Sequence, residues 1–287
     1  MYMRLMNINQ GADIWPSYHS IRAAKKLCYP SNISITESKA EVPLQDLLDH
    51  TSIRLVEFLK DVFSHLLVSN ADDSRIVYQA TLTSKWGFDS CTSQSRYFQK
   101  FSGKISSTFD ENSMLSTTLV PLDLSVNGKN IWRNNASSST RFCRPIKIEY
   151  IKETSEVAKK EYAHINRQVN LLKETLFSIP IENSTEVLKI SISHNLHCTA
   201  IDGKVVNAIF DVSSQACCYI CGAKPTQMND WKNKKRPINT FSLNFGLSSL
   251  HAWIRIFECI LHISYRLNIK KWRITGKYNF TYCIFFP

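Results

Sequence analysis

The sequence predicts an α/β protein built on a mixed β-sheet with flanking helices. Three observations predict this class: several alternating apolar segments typical of strands, a long amphipathic segment before the last of them, and a hairpin-type turn at Asn127-Gly128. The predicted order is strand, strand, strand, helix, strand. A crossover helix then lays the fourth strand parallel beside the first, so the two strands end at the same edge of the sheet.

The N-terminal region is predicted to be helical. After Pro43, leucine and phenylalanine recur at intervals of three and four, which indicates one amphipathic helix or a helix pair broken near Thr51. Residues 1–40 are mixed and polar and are interpreted as a loosely organised lead-in. We assign residues 1–74 to an N-terminal helical region.

Three antiparallel strands are predicted next. The first, in SRIVYQATLTSKWGFDS, alternates from Ile76 to Thr83 and leads to a predicted turn at Gly87, which places Asp89 just past its end. The second and third strands are STTLVPLDLSV and RFCRPIKIEYI. Residues 75–215 are therefore assigned to one sheet-containing core.

A helix and a fourth strand complete this core. The segment ETSEVAKKEYAHINRQVNLLKETLF predicts a helix with Thr154 or Ser155 as its N-cap, closed by Pro180. The segment TEVLKISISHNLHCTAID predicts the fourth strand, which ends at Asp202. Further on, the apolar spacing of SSLHAWIRIFECILHISYRLNIKKW predicts another amphipathic helix.

Asp89 and Asp202 form a candidate metal-binding pair. Two acidic side chains at adjacent strand ends can share Mg²⁺ or Mn²⁺, and phosphoryl transfer by two metal ions needs such ligands. The alternative is that each aspartate is a turn or cap residue, which is the usual role of Asp at a strand end.

Cys218 and Cys221 form a candidate zinc half-site. A Cys-x-x-Cys pair followed by Gly222 turns both thiolates toward one ion, but no second such pair and no closely spaced histidine pair follows downstream. A redox pair or plain buried cysteines remain the alternatives. His194 and Cys198 suggest a nucleophile site. The commoner interpretation of such residues is that they lie on a half-exposed face of a strand and have no catalytic role.

The net charge of +11 is typical of proteins that bind polyanions such as nucleic acids. The candidate DNA-contacting residues lie in the run WKNKKRP, for which a solvated loop is the alternative; they are Lys232, Lys234, Lys235 and Arg236. Neither a secretory signal nor a membrane span is found, so we expect an intracellular protein whose cysteines are thiols or metal ligands. A basic protein without a nucleic-acid partner remains open.

Four segments together resemble one family. They are WGFDSCTSQSRYFQKF, RFCRPIKIEYIKE, AIDGKVVNAIFDVSSQACCYICGAK and LNFGLSSLHAWIRIFECILHISYRLNIKKW. The chain is similar over roughly residues 20–272 to the Transib transposases and the related catalytic subunit of the vertebrate antigen-receptor recombinase. The resemblance implies an RNase H-like catalytic core whose first two acids match Asp89 and Asp202, with zinc ligands at Cys218 and Cys221.

The resemblance also implies an activity and a setting. These are Mg²⁺- or Mn²⁺-dependent nicking and strand transfer at the terminal inverted repeats of DNA, in the nucleus, with a homodimer left open. Residues 216–272 would be a partial zinc-binding helical insert, and residues 273–287 match nothing in the family. This chain departs from the family directly after Asp89: the family often has Gly at the next position, and this chain has Ser90.

The family's catalytic glutamate and distal zinc histidines have no counterpart before the last matching residue, Trp272. We therefore expect a truncated relative that retains two of three catalytic acids and half a zinc site, and that is inactive alone. The alternative function is a non-catalytic basic module that binds DNA or a partner. A third expectation is a chain that does not fold stably, because the elements that would cover its last strand are missing.

Overall fold

A computed structural model describes residues 11, 16–63, 77–92, 109–180, 187–210, 218–224 and 237–246, with residues 253, 256, 257, 260, 261 and 264. The chain separates into two compact units, Met1–Ala200 and Ile201–Pro287. The first unit combines helices with a mixed sheet, so the predicted α/β class is confirmed. In the described ranges, none of the helices has the length and apolarity that a membrane crossing requires.

The described part of the first unit contains α1 (Tyr18–Lys26), α2 (Leu44–Phe58) and α3 (Ser155–Asn170), together with helical residues at positions 60–63. Helix α2 begins directly after Pro43 and runs without a break through Thr51, so the single-helix interpretation is confirmed as far as Phe58. Its core-facing side chains follow the helical period and are Leu44, Leu47, Leu48, Thr51, Ser52 and Val56.

Eight strands of the described residues form one sheet. They are β1 (Ser34–Ile35), β2 (Lys39–Glu41), β3 (Val77–Thr92), β4 (Ser113–Val126), β5 (Lys129–Arg133), β6 (Arg144–Glu149), β7 (Thr175–Pro180) and β8 (Val187–Cys198). Their order in the sheet is β1-β2-β6-β4-β3-β8-β7, with β5 paired to β4. Each of these pairings is antiparallel except that between β3 and β8.

The core topology follows the predicted order. Strands β3, β4 and β6 form the antiparallel set, α3 crosses over, and β8 lies parallel to β3. Asn127 and Gly128 both have positive φ, as a tight hairpin turn requires, and they connect β4 to β5. The turn was therefore predicted correctly, although β5 itself was not.

The predicted end of the helix after Thr154 is wrong. The helix predicted as far as Pro180 ends at Asn170, and Thr175–Pro180 forms β7, which pairs antiparallel with β8. The spacing of the apolar residues continues past Asn170 in helical register, but the free edge of β8 offers a full ladder of backbone hydrogen bonds to this segment. Tertiary pairing therefore overrides the local pattern.

Helix α3 starts as predicted, with the Thr154 hydroxyl accepting a hydrogen bond from the Val157 amide at 3.2 Å. The helix packs on the sheet through Tyr162, whose ring stacks on that of the buried Trp86 with the ring centroids 6.0 Å apart. The core of this unit is thus built between the sheet and its helices.

The second unit is described in shorter pieces. It contains α4 (Gly203–Ile209), a 3₁₀ helix (Thr240–Phe245) and helical residues between 253 and 264. The last of these include Trp253 and Phe257, which lie in the predicted amphipathic helix and whose rings stack with centroids 5.7 Å apart. Four aromatic rings form a small cluster around Phe210; they are Phe210, Tyr219, Phe241 and Phe245.

Candidate functional site

Strands β3 and β8 lie side by side inside the sheet and run parallel, so their carboxyl ends lie at the same end of the sheet. Its register runs from Val77 beside Lys189 to Trp86 beside Cys198, where β8 ends. Strand β3 continues for six residues past this point, to Thr92, paired on its other side with β4. The carboxyl ends of the first and fourth predicted strands therefore share an edge, as the element order predicted.

Gly87 is the first residue of β3 beyond its pairing with β8. The Ala200 amide donates a hydrogen bond to the Trp86 carbonyl at 3.1 Å, which brings the backbone of Ala200 against Gly87. A Cβ atom on residue 87 would lie 2.0 Å from the Ala200 carbonyl oxygen. The prediction of a turn at Gly87 is wrong: the glycine is within a strand and permits close approach of two backbones.

Asp89 lies inside β3 and not past its end, since the strand extends to Thr92. Its Cα is paired with that of Ser116 on β4, and its side chain is exposed. The Asp89 Oδ1 atom accepts a hydrogen bond from the Ser90 amide at 2.8 Å. The carboxylate is thus held on a rigid strand with access to solvent, beyond the last residue paired with β8.

Glu153 is an acidic neighbour that the sequence reasoning missed. The Ser90 hydroxyl donates a hydrogen bond to its Oε2 atom at 2.6 Å. Ser90 directly follows Asp89 in β3, so Glu153 contacts the neighbour of Asp89 along the strand. No sequence signal could have found the contact, because it depends on the register of β3 with β4 and of β4 with β6.

Asp202 is the N-cap of α4 and not the last residue of a strand. Strand β8 ends at Cys198, and the exposed Asp202 side chain accepts a hydrogen bond from the Val205 amide at 2.7 Å through Oδ1. The prediction of a strand end here is therefore wrong, and the cap role, one of the two alternatives, is present. The Oδ2 atom has no hydrogen-bond partner among the described residues.

Cys218 and Cys221 lie on a tight turn in the second unit. The Gly222 amide donates to the Cys218 carbonyl at 2.7 Å, and the Cys218 amide donates to the Ala223 carbonyl at 2.9 Å. Gly222 has a φ of +66°, a value that favours glycine. Both cysteines are free thiols of intermediate exposure. This turn is the local geometry that the Cys-x-x-Cys-Gly pattern predicts.

His194 and Cys198 do not have the properties of a nucleophile pair. Burial raises the pKa of the Cys198 thiol to about 12, so it stays protonated at neutral pH. Burial lowers the pKa of His194, against the opposing charges of Asp49 and Glu174, and its Nε2 atom contacts the Thr175 hydroxyl at 2.8 Å. The two side chains are best explained as parts of the sheet interior.

The four basic candidates lie outside the described residues; they are Lys232, Lys234, Lys235 and Arg236. Within the part of the chain that is described, no group of three or more His, Cys, Asp or Glu side chains is arranged to hold a metal ion. Asp89 belongs to the first unit, whereas Asp202, Cys218 and Cys221 belong to the second.

No family model matches the chain, and no curated protein is significantly similar to it.

Proposed function

We propose that the chain is a DNA-processing protein of the DDE transposase type, with an RNase H-like core and with Asp89 and Asp202 as its first two catalytic carboxylates. One observation carries the proposal. The antiparallel set β3–β4–β6, the crossover helix α3 and the parallel strand β8 occur in the order that this core requires. Strands β1, β2, β5 and β7 are additions to that plan.

The donor chemistry of the two aspartates suits a hard divalent cation. Carboxylate oxygens are the ligands that Mg²⁺ and Mn²⁺ favour, and both side chains are exposed. When bound, the cation supplies Lewis-acid polarisation of the phosphodiester and activation of an attacking oxygen. Asp89 is held in direction by its strand, and Asp202 by its hydrogen bond to Val205.

The donor chemistry of Cys218 and Cys221 suits Zn²⁺. Two thiolates on a turn closed by Gly222 supply half of a tetrahedral site, so the remaining ligands must come from other residues or another chain. We propose that this half-site stabilises the second unit and takes no part in chemistry.

The proposed partner is DNA carrying terminal inverted repeats, in the nucleus, contacted by the basic run from Lys232 to Arg236. The net charge of +11 supports a polyanionic partner. The alternative function is a non-catalytic basic module that binds DNA or a related protein. It is favoured by the absence, among the described residues, of a third acidic side chain grouped with Asp89 or Asp202.

The catalytic proposal is tested with a supercoiled plasmid that carries the DNA flanking the coding sequence, where the family's terminal inverted repeats are expected. An active enzyme would nick this plasmid with Mg²⁺ or Mn²⁺, and the nicking rate would fall at least a hundredfold in Asp89→Asn and in Asp202→Asn, whereas a protein that is inactive alone would leave it intact. Asp61→Asn is the matched control, since Asp61 is an exposed aspartate among the helical residues 60–63, remote in sequence from both acids.

The outcomes separate the two functions. Nicking that persists in both aspartate variants refutes these residues as catalytic ligands. Retention of the plasmid at low salt without nicking, and with equal affinity in Asp89→Asn, Asp202→Asn and Asp61→Asn, favours the binding module.

The zinc proposal is tested by measuring bound metal in the purified protein. We expect Zn²⁺ in the wild type, and its loss in Cys218→Ser and Cys221→Ser. Cys91→Ser, which changes an exposed free cysteine in the first unit, should keep the metal. Equal zinc content in all four proteins would contradict the assignment.

A further inference from the structure

A cavity of about 650 Å³ lies in the first unit, between α2, the start of β6 and the residues that follow α1. Its walls are largely apolar and include Ile33, Val42, Leu55 and Phe142. The volume falls in the range of small-molecule sites, which are apolar clefts with a few placed polar groups. The polar groups of this cavity are mainly cationic, and none of them belongs to the candidate site described above.

Arg144 is the most constrained of these cations. It is half-buried at the first position of β6, and its Nη2 atom donates a hydrogen bond to His50 Nδ1 at 2.9 Å. His50 Nε2 lies 2.9 Å from the Leu27 carbonyl oxygen. Because arginine has only donors, His50 must accept at Nδ1 and donate from Nε2 to Leu27. The imidazole therefore holds the guanidinium in one orientation on the cavity wall.

This guanidinium has no carboxylate partner among the described residues. Burial lowers the pKa of Arg144, the Cys28 thiol opposes this effect, and the nearby charge of Arg54 lowers the pKa further. Arginine stays protonated despite such shifts, so two positive charges share one cavity wall. A half-buried arginine beside a like charge is unfavourable unless an anion joins them.

The carboxylate on the cavity wall, Glu41, does not supply that anion. Its Oε2 atom lies 2.8 Å from Lys39 Nζ and its Oε1 atom lies 2.6 Å from His164 Nε2, so both oxygens are engaged elsewhere. Burial raises the pKa of Glu41, but hydrogen bonds and charge from these partners outweigh it and lower the pKa. Arg54 has an exposed carboxylate partner, Glu57, at 3.2 Å, so it is the positive charge of Arg144 that faces the cavity without a carboxylate.

We propose that the cavity binds a small organic anion whose phosphate or carboxylate group is held by Arg144 and Arg54 and whose apolar body fills the remaining space. Arg144 supplies the planar fork that binds such groups through two hydrogen bonds. The apolar walls favour a ring or chain of one small molecule over a bare ion. This site is independent of the proposed DNA chemistry.

The experiment is calorimetric titration of the full chain with phenyl phosphate, benzoate, inorganic phosphate and benzyl alcohol at low salt. We expect phenyl phosphate or benzoate to bind with a Kd of about 1 mM or lower. Inorganic phosphate lacks the apolar ring and benzyl alcohol lacks the negative charge, so each should bind at least tenfold more weakly. The stronger of the two organic anions identifies the head group.

Three variants identify the site. Arg144→Gln keeps a donor for His50 but removes the charge, and should weaken binding at least tenfold. Arg54→Gln, at a half-exposed residue, should weaken it about threefold. Arg133→Gln is the matched control on the exposed side of β5 and should leave the Kd within about twofold. Circular dichroism melts establish that each variant is folded.

Several outcomes would overturn the proposal. They are no heat with either organic anion at 10 mM, equal affinity for benzyl alcohol, equal affinity for inorganic phosphate, or an unchanged Kd in both Arg144→Gln and Arg54→Gln. Displacement of phenyl phosphate by short duplex DNA would assign these arginines to a nucleic-acid surface and not to a small-molecule site. If Arg144→Gln does not fold, the Kd of Arg54→Gln compared with that of Arg133→Gln tests the site.

Discussion

Replacing Gly87 by alanine should be among the most damaging small substitutions in the first unit. The added Cβ atom would lie 2.0 Å from the Ala200 carbonyl oxygen, 2.3 Å from its carbonyl carbon and 2.8 Å from its Cα atom. Real Cβ atoms essentially never come within 3.0 Å of such atoms, so the two backbones must separate by more than about 1 Å. A side-chain movement cannot relieve this overlap, because the three nearest atoms all belong to the main chain of Ala200.

The magnitude follows from two effects. Overpacking of a close-packed site costs about 1–3 kcal/mol. Separation of the backbones also breaks the 3.1 Å hydrogen bond from the Ala200 amide to the Trp86 carbonyl, which adds about 1 kcal/mol. We expect the free energy of unfolding to fall by about 2–4 kcal/mol in Gly87→Ala.

Urea denaturation followed by tryptophan fluorescence measures this change, since Trp86 is buried beside the perturbed position. Gly203→Ala is the matched control: its Cβ would have no heavy atom within 4 Å, and its φ is not positive. The control should be neutral, or more stable by about 0.4–1 kcal/mol. A loss below about 0.5 kcal/mol in Gly87→Ala would refute the close-approach argument.

Two further predictions concern buried charge. Lys147 forms ion pairs with Glu161 and, at 3.0 Å, with Glu149; burial opposes its protonation, but these partners raise its pKa. In Lys147→Met the free energy of unfolding, measured by chemical denaturation, should fall by about 3 kcal/mol, because Glu161 is left buried without its partner. The double variant Lys147→Met/Glu161→Gln should regain at least half of this loss. If the losses of the two single variants simply add in the double variant, the two residues are not coupled. For His194, whose pKa burial lowers, stability should be complete above about pH 6.5 and fall as the pH drops, because the unfolded chain binds the proton more tightly. In His194→Gln this part of the pH profile should flatten, and an unchanged profile would count against His194 as its source.

The comparison of sequence with structure separates local from long-range information. Period-two and period-three-to-four patterns predicted β3, β4, β6, β8 and α3, and the cap at Thr154 marked the start of that helix. These features depend on neighbouring residues along the chain. The segment Thr175–Pro180 was misassigned, because its strand exists only through pairing with β8.

The candidate site divides in the same way. The turn at Cys218–Gly222 follows from its own residues, so the pattern alone predicted it. Asp89 and Asp202 were predicted at strand ends, yet one is within a strand and the other caps a helix. Where β3 and β8 end depends on the pairing between strands, which periodicity does not encode.

The sequence by itself determined the α/β class, the order of the main elements, the parallel return of β8 and the chemical types of the candidate ligands. Only the tertiary structure decided that Gly87 admits a second backbone, that Ser90 binds Glu153, and that His50 holds Arg144 on the wall of a cavity. The physical reason is the range of the interactions. Amphipathic periods and caps arise within a few residues, whereas these contacts join segments that only folding brings together.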